Sequence, residues 1–425
     1  MLKPALRRGW RDRSTVRFGV APAHAVVMGP VDSATGSLLS LIDGTRSVDQ
    51  LEREAAALQL PPEHTREVVN RLDAAGLLDT PAPASPVGEA LRTDLPAFDR
   101  LRPDLAGLSV HHRDRPGAEE RMWARRSARV RVRGTGRVGA SIAALLSAAG
   151  VGQVEVLDGG RVEPWDVLPA GFSADRVGTR RDVSARRLIN ECSPWSKRPR
   201  SSPGAAPPGT TPPSGEERIG EPGPHTQHAR PARPAEDVAR SMAGVDRTHD
   251  APAPPVDPPL VLTVLAPRDG LAAYAPDPRL AEPLLTSGIP HLYAGVVEAT
   301  GVVGPLVLPG DTACAGCWEL RRTEAEPAWP RLLAQWRSGR AAPAVPACDA
   351  ALATTVAGLA ATQVLTFLDG YLPPCTGART ELALPCTSWD IDRIEAHPEC
   401  ACGAARSPAT AAASDPRPRH ATMTG

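Results

Sequence analysis

The chain has 425 residues, and its 48 lysines and arginines balance 48 aspartates and glutamates. Charge alone therefore gives no reason to expect a nucleic acid or a membrane surface as partner. At roughly 150 residues per domain the length suggests two or three folded units, and the 47 prolines and 37 glycines, against 4% aromatics, must be concentrated in particular stretches. The N-terminal MLKPALRRGWRDRS is basic but lacks the apolar core of a secretory signal. No run approaches the roughly 18–20 apolar residues of a membrane span. A cytoplasmic protein is expected, whose eight cysteines serve as metal ligands, catalytic groups or buried thiols rather than disulfides.

Residues 21–80 read as a small helical module. Ser47 stands three residues before Gln50, the spacing of a capping box at a helix start. Leu51, Ala55 and Leu58, then Val68, Val69 and Leu72, recur at helical spacing, and Gly76 closes the last helix. Three short helices followed by Leu77 and Leu78 suggest a winged helix-turn-helix. The helix that would read DNA carries Glu63, Arg66, Glu67, Arg71 and Asp73, too mixed in charge for a phosphate-facing surface. Peptide binding by strand addition to the wing is the better expectation; a structural appendage and a transcription factor are the alternatives.

Residues 81–126 read as a Pro-rich linker and lead-in. SARVRVR is then a strand, and Gly134, Gly136 and Gly139 form G-x-G-x-x-G before the helical ASIAALLSAAG. VGQVEVLD makes a second strand ending in Asp158. Strand, glycines, helix, strand and acid, with the acid about 20 residues past the glycines, predict a Rossmann-like α/β domain. The glycines allow close backbone approach, the helix start faces a phosphate and the acid accepts from a ribose hydroxyl. Residues 194–259 have almost no large apolar side chains and read as a disordered insertion, since the strand LVLTVL follows from Leu260.

RVRVRGTGRVGASIAALLSAAGVGQVEVLDGGRV resembles the ThiF/MoeB/ubiquitin-activating-enzyme superfamily, as do GVVGPLVLPGDTACAGCWEL and VPACDAALATTVAGLAATQVLTFLDG. The resemblance covers residues 127–403 apart from the insertion and implies ATP binding, adenylation of a peptide or protein C-terminus, and dimerisation. Within it, the family's second acid has become Gly160, its Asn has become Asp166 and its nucleotide-contacting Arg has become Pro169. Arg180 or Arg181 stands for its lysine, and Asp269 lies several residues late for its metal-binding acid. Lost cations would no longer stabilise a triphosphate, so a degraded site for ATP and magnesium is expected and no catalytic residue is assigned.

P-x-D-V-x-P-A-G (164–171), VVGPLVLPG, C-x-x-C-W-E-L and EPAWPRLLAQW resemble the ThiF-like proteins of thiazole/oxazole-modified peptide pathways. The 21–80 module is similar to the PqqD-type clamp that precedes such bodies. The pair implies capture of a precursor's leader peptide and its presentation to a YcaO-type cyclodehydratase. The alternative is a working adenylyltransferase in which Arg133, Arg137, Arg180 or Arg181 replaces the missing cations.

Cys314 and Cys317 form C-x-x-C, and Cys400 and Cys402 form C-x-C. Two close pairs from distant positions suit a four-sulfur, structural zinc site that ties a C-terminal segment to the body; His397 is the lesser candidate. Cys348, at a helix start, is expected as a small cap residue rather than a thioester nucleophile, and Cys192, Cys375 and Cys386 carry no metal spacing. Trp318, Trp329 and Trp336 are expected to pack rather than to form a ligand platform. Residues 404–425 read as a disordered tail.

Overall fold

The computed structural model describes residues 1–61, 63–79, 86–113, 117–195, 258–338, 345–385 and 389–407. Most of the expected insertion, Cys386 and the tail beyond residue 407 lie outside the described residues.

The N-terminal unit begins with three short antiparallel strands, β1 (Arg8–Trp10), β2 (Val16–Phe18) and β3 (Val26–Met28), in spatial order β1-β2-β3. Helices α1 (Ser33–Leu41), α2 (Val48–Ala57) and α3 (His64–Ala74) follow. Asp32 caps α1 by accepting from Thr35 N at 2.7 Å. The Ser47–Gln50 capping box forms on α2 at 3.2 and 2.7 Å, satisfying two orphan donors at its start. Val16, Phe18, Val26 and Met28 pack on Leu38, Leu39, Leu51, Val68 and Leu72 as one core. The packed unit thus reaches back before residue 21, because strands of three residues are too short to show alternation in sequence.

The stretch expected to be loosely patterned carries helices: α4 (Pro86–Arg92), α5 (Leu95–His111) and α6 (Ala118–Arg126). Proline misleads here, since Pro96 lies in the first turn of α5, where no N–H is needed. Leu91, Leu101, Leu108, Met122 and Trp123 form their core. Arg125 grips Asp369 through two bonds of 2.7 Å, and His112 lies 3.3 Å from the same carboxylate. Burial pushes the Asp369 carboxyl up, but His112 and Arg125 outweigh it and hold it below its ordinary value. This buried cluster clamps the lead-in helices to the body.

The body is a seven-stranded mixed sheet flanked by helices. Its strands are β4 (Arg129–Arg133), β5 (Gln153–Leu157), β6 (Leu260–Leu265), β7 (His291–Val297), β8 (Thr300–Val307), β9 (Ala378–Ala383) and β10 (Trp389–Arg393). Their spatial order is β10-β9-β8-β7-β6-β4-β5. β5, β4, β6 and β7 are parallel; β8, β9 and β10 continue antiparallel. Helices α7 (Arg137–Ala148), α8 (Arg181–Cys192), α9 (Gly270–Tyr274), α10 (Pro278–Thr286), α11 (Ala315–Ala325), α12 (Trp329–Arg337) and α13 (Ala350–Leu368) complete it. The chain leaves β4 towards β5 on one side and returns as β6 on the other. That reversal opens a crevice beyond the carboxyl end of β4, where open α/β sheets place ligands.

α13 departs from the expectation that no run approaches a membrane span, being long and apolar enough by length and composition. Leu352, Val356, Ala360 and Val364 on it nevertheless lie in the main core with Ile142 and Leu146 of α7. Its apolarity serves packing against the sheet.

His291 on β7 is wholly buried, with only Nδ1 facing an acceptor, Ile289 O at 3.2 Å. Burial, against the help of that carbonyl, pulls its pKa from 6.5 down to about 4. The unfolded chain therefore binds the proton more readily, and stability should fall as pH drops from 6.5 towards 4. The slope should approach 1.4 kcal/mol per pH unit from this residue, and urea titrations across that range should show it flattened in His291→Gln.

Candidate functional site

The glycine loop lies at the carboxyl end of β4 and leads into α7. Gly134 has φ of 92°, and a Cβ there would stand 2.1 Å from Ala266 O. A Cβ on Gly139 would stand 2.0 Å from Gly134 O, so α7 approaches the strand as closely as backbone allows. Gly139→Ala should therefore cost about 2–4 kcal/mol, read as a lower urea midpoint with an unchanged slope. Gly136 is the N-cap of α7 in extended conformation. Asp158 accepts from Thr135 N at 2.5 Å and Thr135 Oγ1 at 2.6 Å, bracing the loop from β5. The structure thus brings Gly134, Gly136, Gly139 and Asp158 together at the β4–α7 turn, with Gly136 and Gly139 lining the crevice beyond it.

Side chains fill that crevice. Arg268, just past β6, lies along Gly136 and pairs with Glu163; its Nε is 3.5 Å from Asp166 Oδ1. Its guanidinium is 5.8 Å from the Trp165 ring centre. Arg137 donates to Trp165 O and, at 2.6 Å, to Cys348 O. The remaining cavity, lined by Gly136, Trp165, Asp166, Arg268 and Cys348 among others, is about 30 Å³, room for a water or two. Arg268, Glu163 and Trp165 carry no sequence signal of this role.

The substituted positions are also placed. Arg181 is buried and bonds Asp166 Oδ2 at 2.8 and 3.1 Å, while Arg180 is exposed on Asp182. Burial pushes the Asp166 carboxyl up despite Arg181. Asp269 is spent as the N-cap of α9, accepting from Leu271 N at 3.0 Å. Cys348 lines the crevice, but Asp349 is the cap of α13, accepting from Leu352 N at 2.9 Å. Burial raises the Cys348 thiol above its ordinary value, the opposite of an activated nucleophile. Burial likewise pushes Cys375 up to about 12.

A second centre lies outside that crevice, with no residue in common. The sulfurs of Cys314, Cys317, Cys400 and Cys402 all fall within 4.8 Å of one another. Cys314–Cys400 is 3.6 Å and Cys317–Cys402 is 3.4 Å. Bonds from Cys314 and Cys402 hold the Cys317 thiol below its ordinary value. Gly316 leaves the sulfurs room, since a Cβ there would come within 3.0 Å of Cys400 Sγ. Four sulfurs so placed fit a tetrahedral metal with no open position for water. His397 is not a fifth candidate: its Nε2 is 2.8 Å from Glu324 and its Nδ1 accepts from Glu399 N at 3.1 Å.

Trp318, Trp329 and Trp336 stack edge-to-face at 5.6 Å intervals. Arg379, 2% exposed, lies 4.0 Å from the Tyr274 ring centre and 5.0 Å from that of Trp318. Trp318 thus packs on a buried cation, Trp329 is buried beneath Arg322, and the half-exposed Trp336 edges onto Trp329.

A ThiF family model matches residues 116–201. No curated protein matches the chain. Among solved structures, E. coli MccB with AMPCPP and MccA aligns at 14% identity and TM-score 0.59, covering 95% of this chain and 98% of that one. The microcin C7 biosynthetic enzyme MccB with N-formylated MccA aligns at 15% and 0.59, covering 95% and 99%. PaaA aligns at 16% and 0.59, covering 92% and 99%. At such identities the likeness is one of fold. Residues 116–201 are a ThiF family domain, set in a ThiF-type mixed α/β fold.

Proposed function

We propose that the protein is a ThiF-like scaffold that captures the leader of a ribosomal precursor peptide and presents it to a YcaO-type cyclodehydratase for azoline formation. The observation that carries this reading is the filled glycine crevice, where Arg268, Trp165 and Arg137 leave about 30 Å³. A nucleotide needs hundreds of cubic ångströms. Residues 21–80, with the strands that precede them, are the peptide-binding unit, residues 81–126 the lead-in and 127–403 the body. That MccB was solved with the peptide MccA supports a peptide partner. Zinc is the metal proposed for the four cysteines, a homodimer the assembly and the cytoplasm the location.

The second reading is an ATP-dependent adenylyltransferase acting on a peptide C-terminus. Gly134, Gly136, Gly139 and Asp158 at the start of α7 favour it, as does a solved complex of MccB with ATP. Titration calorimetry of the metal-replete protein with magnesium ATP separates the two. No heat and no thermal shift at millimolar ATP is the scaffold's result. Micromolar binding followed by pyrophosphate exchange would establish the adenylyltransferase instead.

A further inference from the structure

Two strands at opposite ends of the chain are open sheet edges, and they carry opposite charge. Among the described residues β1 pairs only with β2, and β10 only with β9. All three residues of β1 and all five of β10 are exposed. Open edges with exposed aromatic side chains invite another strand unless something covers them. Trp10 is 51% exposed, Trp389 43% and Ile391 61%. Around Trp10 stand Arg7, Arg8, Arg11 and Arg13 against one acid, Asp12, whose carboxylate is engaged by Ser14 N at 2.8 Å. Around Trp389 and Ile391 stand Asp390 and Asp392 against one cation, Arg393, at the end of the strand.

The hydrogen-bond phase of each edge decides which side chains could meet. Arg11 N donates to Thr15 O and Gly19 N to Arg7 O, both at 2.8 Å. Arg7, Gly9 and Arg11 thus turn their main chain towards β2, and alternation leaves that of Arg8 and Trp10 facing outward. Ile394 N donates to Gly377 O at 2.9 Å. By the same rule Asp390 and Asp392 face β9, and Trp389, Ile391 and Arg393 face outward. An antiparallel pair between the two edges must join outward groups to outward groups, and residues directly opposite share a face. Every permitted register therefore puts Arg7 and Arg11 on the face of Asp390 and Asp392, and Trp10 on the face of Trp389 and Ile391. With Trp10 opposite Trp389, Arg8 meets Ile391 and Arg7 meets Asp392.

We propose that β1 of one copy of this chain adds to β10 of a second copy, extending its seven-stranded sheet. The occupant is a second copy because the charge and the apolar positions of one edge match those of the other in phase. Trp10 would gain a partner beyond Gly36 of α1, over which it now lies. The contact is independent of what the glycine crevice binds.

Sedimentation velocity tests it with two double variants, Arg7→Glu/Arg11→Glu and Asp390→Lys/Asp392→Lys. Each should weaken self-association at least tenfold relative to wild type, since like charges then face each other. Their equimolar mixture should recover the wild-type mass, because each reversed edge finds its complement on the other variant. Recovery also shows that both variants are folded. Raising salt from about 50 to 500 mM should weaken the wild-type association several-fold. A wild-type monomer at 0.1 mM, association unaffected by either double variant, or a mixture that fails to recover would each overturn the proposal.

Discussion

The double variant Arg268→Ala/Glu163→Gln is expected to bind magnesium ATP at least tenfold more tightly than the wild-type chain does. In the wild type a triphosphate entering above α7 must first pull Arg268 from Glu163 and Asp166 and off the Trp165 ring. It must then lie beside two carboxylates. The double variant removes the long side chain, opens the crevice over Gly136 and neutralises the acid left behind. Arg137, which lines the crevice, and the N-terminal end of the α7 dipole remain to meet phosphate, while Arg181 stays on Asp166. Arg268 and Glu163 are each about a third exposed, so their ion pair is partly screened and the gain should be modest. Tenfold corresponds to about 1.4 kcal/mol. Arg268→Ala alone should gain less, because Glu163 would then face the phosphates uncompensated. Calorimetry on the three proteins reads the order directly. If wild type binds ATP at micromolar affinity and Arg268→Ala loses it, Arg268 is a phosphate ligand rather than a plug.

What the sequence could reveal follows the range of the interaction. The β4-glycine-α7 passage is local: each glycine is needed for a contact within the same βαβ unit or the strand beside it. Its residue types and spacing therefore announce it. The Ser47–Gln50 box and the two cysteine pairs are equally local at each end, and only the meeting of Cys314 with Cys400 across 86 positions needs the fold. Arg268 and Glu163 are the opposite case. They are 105 positions apart, each follows an ordinary strand or turn, and nothing in either neighbourhood distinguishes them from solvated charges. Arg379 is hidden for a related reason, since a strand pattern gives no sign that one arginine is sealed between Tyr274 and Trp318. The lead-in helices were obscured by composition: Pro96 and Pro103 argue for a loop until the apolar positions Leu101 and Leu108 find Met122 and Trp123. β1 and β2 fell below the length at which alternation can be seen.

Removing the metal from the cysteine cluster should lower the melting temperature by about 10 °C or more, since a structural site contributes several kcal/mol and each kcal/mol moves a body of this size by about 2–4 °C. The geometry discriminates against the simpler account of two disulfides. A disulfide needs sulfurs about 2.05 Å apart, whereas the closest pairs stand at 3.4 and 3.6 Å. Sulfurs at the corners of a tetrahedron with metal bonds of about 2.3 Å stand roughly 3.8 Å apart, within the 4.8 Å that spans the set. Without a metal, these buried and half-buried sulfurs repel once ionised or lose their solvation as thiols. The Cys400–Cys402 segment is then held against α11 only through its neighbours, His397 on Glu324 at 2.8 Å and Ala396 O on Arg321 at 3.3 Å. One equivalent of zinc per chain is therefore expected by elemental analysis, falling sharply in Cys317→Ser and staying at one in Cys375→Ser, whose thiol is buried outside the cluster. Hydrogen exchange in the chelated protein should accelerate first around residues 394–407 and leave α7 protected, because the cluster fastens the C-terminal segment and does not reach the glycine crevice. A uniform loss of protection would mean that the metal organises the whole body. An unchanged melting temperature after verified metal removal would leave the four cysteines as packed thiols.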